Sequence, residues 1–465
     1  METVSPVGVP YTLVKVGGQG IGGIMATPPK VEGMPPHWLS YLTVTDVDAT
    51  VAQAVALGGE ACMEPMDIPG VGRFCVVRDP QGAAFAVIVA DPAFAREARP
   101  DTRAYAVAAA AQAMLGSLGI WDRIAADAQA MTEMVVSDSR SGDAIRPVFL
   151  TFDGEVEPGQ PFAHMVGSGA LIEALTAACC EAGVVLRGGG VTRFDSGDAG
   201  VGVVLAGGET LRARLLVAAD GARSRLREQA GIGWVGWDYG QSGLVATIGH
   251  ERPHGGRAVE HFLPSGPFAI LPLSDGGRLG HRSSMVWTER SENVPALLSL
   301  DEEGMLAEIE RRFGLELGEI ALESPVSAHP LGFGVARRFV GERLALLGDA
   351  AHLIHPIAGQ GLNLGLKDVA ALAEVIVDAA RLGLDPGTAD VLEGYERARR
   401  FDTVAMGAVT DGLNRLFSND ATPLRLARDL GLGLVDRLPG LKRFFIREAA
   451  GVAGAPPRLL RGEAL

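Results

Sequence analysis

The chain has 465 residues, 47% of them hydrophobic and 21% charged, with a formal net charge of −15. That length allows roughly two to four domains, and the composition is that of an ordinary globular protein. The acidic balance argues against a nucleic-acid partner, and no apolar run reaches the roughly 18 residues that a membrane-spanning helix needs.

Met1 to Pro10 lacks the charged and apolar regions of a signal peptide, so the expected location is cytoplasmic. Tyr11 to Val16 reads as a strand, and Gly18, Gly20 and Gly23 behind it satisfy G-x-G-x-x-G, the spacing of a dinucleotide-binding turn. The context rejects that reading. A helix must start at the glycines, yet Pro28 and Pro29 follow, and Glu32 lies in a Pro/Gly-rich loop rather than at a strand end. Gly17 to Gly20 reads instead as a hairpin turn inside 11–25. His37 to Val44 is the next strand, and Asp46 caps a helix that runs to Leu57 and ends at Gly58 and Gly59. Strands follow at Ala61 to Met66, Arg73 to Arg78 and Ala83 to Val89, with turns at 69–70 and 79–82. This is one βαβββ unit, preceded by two strands of a second.

Composition changes near residue 95. Thr102 to Leu118 is an Ala-rich helical stretch, and Leu171 to Ala182 an amphipathic helix, with a short strand at Val184 to Leu186. Cys179 and Cys180 in that helix are expected to be core thiols, since none of the four cysteines has metal-ligand or C-x-x-C spacing. Val201 to Leu205 and Leu211 to Ala219 read as a hairpin, the second strand running into Asp220 and Gly221. Residues 240–290 alternate as strands, including His261 to Leu263 and Ala269 to Leu271. Leu344 to Leu347 is a buried strand, Gly361 opens a helix to about Leu382, and the chain is helical from 388, with breaks at Pro423, Pro439 and Pro456-Pro457.

The stretch "LALLGDAAHLIHPIAGQGLNLGLKD" (344–368) carries the most chemistry. An Asp at the carboxyl end of a strand accepts hydrogen bonds from sugar-like hydroxyls. The Gly359-Gln360-Gly361 turn lets backbone N–H groups approach a flat ligand, and the helix start behind it favours an anionic ring edge. His352 and His355 in this loop are read as packing or orienting groups.

This stretch resembles the second FAD motif of flavoprotein aromatic monooxygenases, and more narrowly their ubiquinone-biosynthesis branch. "LLVAADGARSRLRE" (215–228) resembles the Asp-Gly motif of that family, and "RPDTRAYAVAAAAQAMLGSLGIWDRI" (99–124) the region after its first βαβ unit. "LPGLKRFFIREAAGVAG" (438–454) is similar to its carboxyl-terminal end. The resemblance covers about 99–465. It implies FAD as cofactor and NAD(P)H and O₂ as co-substrates, with a phenolic ring hydroxylated in ubiquinone biosynthesis. Carried over residue by residue, Asp349, after Gly348, holds the ribityl chain. Gly361 and Leu362 offer backbone contacts to the pyrimidine edge, with Asn363 next to them and Gly359 in the turn before, and Pro356 flanks the ring. Arg103 reaches the flavin side, and Asp220 with Gly221 serves the Asp-Gly motif. No catalytic residue is assigned. Two features depart from the family: nothing between 96 and 101 supplies the βαβ unit that binds the ADP half of FAD, and Ser168 and Gly169 stand where the family often has Asn-Arg.

Residues 11–89 resemble the glyoxalase/bleomycin-resistance superfamily, whose folds pair βαβββ units. The position of its usual metal-binding Glu is Ala86 here, and His37 stands alone, so no metal is expected. The expected fold is α/β, mixed with α+β: an incomplete FAD-binding Rossmann-like domain with an antiparallel-sheet substrate domain and C-terminal helices, preceded by a βαβββ glyoxalase-like module. The glyoxalase-like module spans 1–92; 99–130, 165–225 and 335–395 form the FAD-binding domain; 131–164 and 226–334 the substrate domain; 396–465 a C-terminal helical segment. The expected partner is a small aromatic, prenylated substrate. Pro423 to Ala449 interleaves apolar residues with Arg425, Arg428, Arg437, Lys442, Arg443 and Arg447, which reads first as a helix packed on the flavin domain and, as the alternative, as a peripheral seat at the inner face of a membrane; a multi-enzyme ubiquinone complex is a further partner that the resemblance allows. The alternative is a non-catalytic fusion remnant or lipid-binding module with weak or no FAD binding.

Overall fold

The computed structural model describes residues 2–4, 11–16, 19–25, 40–44, 47–63, 65–68, 72–78, 84–89, 103–138, 148–153, 155–187, 189–418 and 437–465. His37, Asp46, the turns at 69–70 and 79–82, Pro423, Arg425 and Arg428 lie outside the described residues. The chain divides into two units, Met1–Pro100 and Asp101–Leu465.

The first unit contains β1 (Glu2–Val4), β2 (Tyr11–Val16), β3 (Gln19–Met25), β4 (Ser40–Thr43), α1 (Val47–Ala56), β5 (Glu60–Ala61), β6 (Met66–Ile68), β7 (Gly72–Arg78) and β8 (Ala84–Val89). β2 and β3 pair antiparallel up to Val16 opposite Gln19, so Gly20 and Gly23 belong to a strand pair and not to a helix start, and β1 adds a third antiparallel strand; Gly17 and Gly18 lie outside the described residues. The other strands form a second sheet, ordered β4-β8-β7-β5 with β6 on β7. The single strand expected over 61–66 is broken into β5 and β6. α1 turns Val47 and Val51, one helical turn apart, onto Cys75 and Val77 of β7.

The second unit contains β9 (Ala104–Ala108), α2 (Ala109–Ser117), β10 (Glu133–Asp138), β11 (Val148–Asp153), β12 (Ala163–Gly167), α3 (Ser168–Glu181), β13 (Leu216–Ala218) and β14 (Trp234–His250). β15 (Arg257–Leu263), β16 (Gly266–Leu273), β17 (His281–Arg290), α4 (Glu302–Phe313), β18 (Ser327–Ala336), β19 (Leu344–Leu346), α5 (Gln360–Arg381), α6 (Ala389–Phe417) and α7 (Pro439–Ala449) follow, with shorter elements between.

A large sheet runs β11-β10-β15-β16-β17-β14-β18 and ends on the short strand His352–Leu353. Within it the β10–β15 pair is parallel and the others are antiparallel. One face carries Leu244, Ile248, Phe268, Met285 and Trp287 against Met305, Ile309 and Phe313 of α4. The sequence of α4 explains its place. Asp301 caps it by accepting from the Gly304 N–H at 2.9 Å, acids fill its first turn and arginines its last, and its apolar residues recur every four positions. The opposite face of the sheet carries Val136, Leu150 and Phe262, which meet Ile357 and Phe417.

β13 and β19 form a parallel pair, Leu216 opposite Leu344 through Ala218 opposite Leu346, with Val340–Gly341 on the far side of β19. Their side chains pack against Ala371 and Leu372 of α5 and Leu392 and Tyr395 of α6. The buried Tyr395 hydroxyl donates to the Leu346 carbonyl at 2.7 Å.

Several expectations are corrected. The stretch 102–118 is not one helix. Its first part is β9, which pairs antiparallel with β12 from Ala104–Gly167 to Ala108–Ala163, so tertiary pairing overrides alanine's helix propensity. The hairpin expected over 201–219 holds only to Ala213. Leu216 to Ala218 then leaves for β19, where Leu216 and Ala218 join the core. Val184 to Leu186 form no strand and are 51–71% exposed; the Val184 N–H donates back to the Cys179 carbonyl at 2.9 Å, and no strand among the described residues pairs with the segment. Cys180 is exposed and Cys179 half-buried, since α3 turns Leu171 and Ala174 inward instead. Among the described residues no helix is long and apolar enough to cross a membrane.

Candidate functional site

Parallel strands end together, so β13 and β19 deliver their following residues to one edge. Asp220 and Gly221 come two and three positions after Ala218, and Gly348 and Asp349 come directly after Leu347, whose N–H donates to the Ala218 carbonyl at 2.9 Å. In open α/β sheets this carboxyl edge is where ligands bind. Arg227, buried among apolar groups and stacked 4.1 Å over the Trp234 ring, locks the two loops together. Its guanidinium donates to the Ala222 carbonyl at 3.0 Å and to the Ala350 carbonyl at 2.9 Å.

Asp349 is open to solvent at its surface but hemmed in by protein, and desolvation pushes its carboxyl up, opposed by the nearby charges of His352 and Arg103. Arg103 itself is exposed, and its carbonyl accepts from the Ser168 N–H at 2.9 Å, which joins the start of β9 to the start of α3. Beneath Asp349 lies a buried network. Asp368 of α5, with no exposed surface, accepts from the Gly348 N–H at 3.1 Å, His352 Nε2 at 2.6 Å and Arg399 Nε at 2.8 Å. Arg399 and Lys367 both reach Asp402, at 2.6 and 2.8 Å. This anion fixes the turn that presents Asp349.

The loop beyond it leads from Pro356, exposed at the start of a short 3-10 turn, to Gly359, whose φ of 61° only glycine adopts freely. Gly359 is the N-cap of α5. No side chain caps that helix, no acid occupies its first turn, and a Cβ built on Gly361 would meet nothing within 4 Å. The first N–H groups of α5 therefore stay open to a ligand with a partial negative edge. Leu362 is half-buried against the cluster of Val107 and Leu171. The Asn363 amide is spent on backbone. It accepts from the Ala108 N–H at 2.9 Å and donates to the carbonyls of Ala106 at 2.8 Å and Gly359 at 3.2 Å, which ties β9 to α5. His355 is fully buried, accepts the Ile357 N–H on Nδ1 at 3.2 Å, and is pushed down to about 4 by burial, so it stays neutral. Its Nε2 finds no partner among the described residues.

Of the ten residues carried over from the family motifs, Asp220, Gly221, Gly348 and Asp349 follow β13 and β19, Pro356 to Asn363 lead into α5, and Arg103 directly precedes β9. The Asp220 carboxylate accepts the Leu226 N–H at 3.3 Å, while Ser224 is the helix cap. Sequence reasoning missed Arg227, Asp368 and Arg399. The signal was there for Asp368, a charged residue on the same helical stripe as Leu364 and Ala371.

The donor set suits the flavin end of FAD: a carboxylate for hydroxyls, a glycine cradle and free helix N–H groups for a ring edge. A model of the FAD binding domain family matches residues 94–409, more than half of the chain. The chain belongs to this family. A model of the Glyoxalase/Bleomycin resistance protein/Dioxygenase superfamily matches residues 5–87. The ubiquinone hydroxylase UbiL of Rhodospirillum rubrum is 47% identical over 377 residues, 80% of this chain and 85% of that protein. The 3-demethoxyubiquinol 3-hydroxylase of Escherichia coli is 35% identical over 374 residues, 79% of this chain and 93% of that one. In fold, the p-nitrophenol 4-monooxygenase PnpA of Pseudomonas putida aligns with a TM-score of 0.61 at 19% identity, over 77% of this chain and 90% of that chain. Klebsiella pneumoniae HpxO, solved with FAD and uric acid, aligns at 0.56 and 20% identity over 75% of this chain and 87% of that chain. The protein is an FAD-dependent enzyme of mixed α/β architecture with a glyoxalase-like amino-terminal part.

Proposed function

We propose that the chain is an NAD(P)H- and O₂-dependent monooxygenase that hydroxylates the ring of a polyprenylated phenol in ubiquinone biosynthesis. The observation that carries the reading is the meeting of Asp349 and the open start of α5 with the apolar sheet face of Val136, Leu150 and Phe262, through Ile357 in the loop between them. When bound, FAD supplies the redox chemistry and the activation of O₂. Asp349 would bind its ribityl hydroxyls, and Gly361 and Leu362, with Asn363 next to them, would serve its pyrimidine edge. Pro356 would border its ring, Arg103 would flank it, and Gly348 and Gly359 would shape the cradle. Asp220 and Gly221 complete the cofactor side. Residues 99–130, 165–225 and 335–395 form the FAD-binding domain in this reading. Residues 131–164 and 226–334 are the substrate domain, whose wall keeps water from the reacting ring.

α7 supports a peripheral membrane seat, close to a prenylated substrate. It buries none of its residues fully, and Phe444 and Phe445 are 53% and 42% exposed beside Lys442 and Arg443. The second reading, a fusion remnant with weak FAD binding, draws on the parallel sheet. Among the described residues it holds two parallel strands, and Gly20 and Gly23 of the early G-x-G-x-x-G lie in an antiparallel strand pair. Purified protein decides between them. A flavin spectrum and phenol-stimulated NAD(P)H oxidation with ring hydroxylation are expected. Colourless protein that takes up no added FAD refutes the first reading.

A further inference from the structure

One buried acid has no part in the network described above. Glu260, in the middle of β15, is 6% exposed. Other buried carboxylates are held: Asp368 by His352 and Arg399, and Glu289 by Asn293 and Arg312. For the Glu260 carboxyl no hydrogen bond or ion pair exists among the described residues, and burial is the sole influence on its titration.

The described residues that flank it in the sheet are apolar. Ala258 and Phe262 share its face of β15 because side chains alternate along a strand. Val136 is its register partner on β10 and Ala269 its partner on β16. Val136 and Phe262 are also the residues that meet Ile357, next to Pro356, and Phe262 stacks on Phe417 with ring centroids 4.0 Å apart. The carboxyl therefore stands on the sheet face turned toward the cofactor loop. The two alanines beside it, Ala258 and Ala269, are the smallest side chains on that wall. A fold gains no stability from a lone buried carboxylate, whereas a site that must take a proton needs one.

We propose that Glu260 is the proton acceptor for the hydroxyl group of a phenolic ring seated between this sheet face and the loop from Pro356 to Asn363. The inference rests on the phenol-hydroxylase reading and adds a catalytic residue to it. In the step, the phenol O–H bond breaks, the proton passes to a Glu260 oxygen, and the electron pair stays on the ring oxygen. Nothing is oxidised or reduced. The phenolate so formed is a far richer electron donor at its ortho and para carbons than the phenol, and the proton returns when the product regains its hydroxyl. The chemistry excludes a ring ether as substrate for this route.

Burial lifts the Glu260 carboxyl to about 7, a range suited to a general base near neutrality. The titratable groups on the elements around it are Glu133 and Asp138 on β10, Asp153 on β11, Arg257 and His261 on its own strand, His164 on β12, and Asp402, Asp411 and Arg415 on α6, with His355 in the loop. His261 points to the opposite face, where it bonds Ser137.

The test compares flavin-loaded wild type with Glu260→Gln, using 2-prenylphenol and its methyl ether 2-prenylanisole. The wild type is expected to hydroxylate the phenol with a rate that rises between about pH 6 and 8, and the ether slowly and without that rise. Glu260→Gln is expected to lose about 100-fold in kcat on the phenol, with little change in KM and no rise with pH. A variant with wild-type kcat and pH profile overturns the proposal, as does a wild type whose rise with pH is the same for phenol and ether. That second comparison needs no variant and stands even where Glu260→Gln fails to fold. Wild type that binds FAD and hydroxylates neither compound overturns the phenol-hydroxylase reading itself.

Discussion

Replacing Glu260 by Gln has a consequence for stability that can be read without any substrate. The Glu260 carboxyl ordinarily titrates at 4.5 and in the fold at about 7, and burial is the cause. A group raised in this way contributes its full share of stability below the unfolded value, and that share is lost as pH rises through the folded one. The two values lie about 2.5 apart. At about 1.4 kcal/mol for each tenfold step, the folded state gives up about 3 kcal/mol between pH 4.5 and 8 on account of this one group. Gln has the same shape and no charge, so the variant escapes the loss. For the unit Asp101–Leu465, which is 465 minus 100 or 365 residues, an unfolding entropy of about 2.1 cal/mol/K per residue converts this to about 4 °C. The assay is thermal unfolding of wild type and Glu260→Gln at pH 5 and pH 8. Between these two pH values the loss is about 2.5 kcal/mol, so the advantage of the variant is expected to grow by about 3 °C from the lower pH to the higher. An advantage that is the same at both, or larger at pH 5, refutes the claim that the carboxyl is buried without a partner.

Asp368→Asn removes the anion that faces Arg399 and His352 and leaves a buried guanidinium short of its partner. Its expected cost is about 3 to 5 kcal/mol, measured as a lower urea midpoint, and an unchanged midpoint contradicts the network. Asn363→Ala deletes three hydrogen bonds to backbone, two of them between β9 and α5. At about 1 kcal/mol each, a loss of about 2 to 3 kcal/mol together with weaker FAD retention on gel filtration is expected. The protein should hold FAD more loosely than a family member with an intact ADP-binding βαβ unit, because no G-x-G-x-x-G turn leads from a strand into a helix among the described residues; equal dissociation constants by fluorescence titration would count against this. Replacing Phe444 and Phe445 by Asp should release the protein from phosphatidylglycerol vesicles in a flotation assay, and binding that survives both changes removes α7 from the membrane contact.

What the sequence disclosed and what it hid divide along physical lines. The loop from Gly348 to Asn363 was legible because its chemistry is local: an apolar strand, an Asp, and glycines before a helix are neighbours in sequence as in space. The antiparallel pairing of 11–16 with 19–25 was legible for the same reason, since the prolines that forbid a helix stand within a few residues. Residues 104–108 were misread because alanine is neutral in burial and favourable in helices, so only the partner strand Ala163–Gly167, some sixty positions away, decides their state. The 216–218 segment was assigned to the wrong sheet for the same cause, its true partner being 344–346. Arg227 and Asp368 escaped notice because a charged side chain in a motif reads as surface until its partners are placed: two carbonyls for Arg227, and an N–H, an imidazole and a guanidinium for Asp368. Glu260 is the sharpest case. "RAVEHFL" alternates so that Glu260 shares a face with Ala258 and Phe262, which is already odd for an acid. Whether such an acid is odd or merely exposed depends on whether that face is covered. β10, β16 and the loop holding Ile357 supply the cover from three separate parts of the chain. An isolated carboxyl is thus a property of the assembled wall, and the wall is shared with the cofactor loop. That shared boundary is why a change at Glu260 should register both in stability and in turnover, whereas a change at Asp368, which lies beneath the loop, should register first in stability.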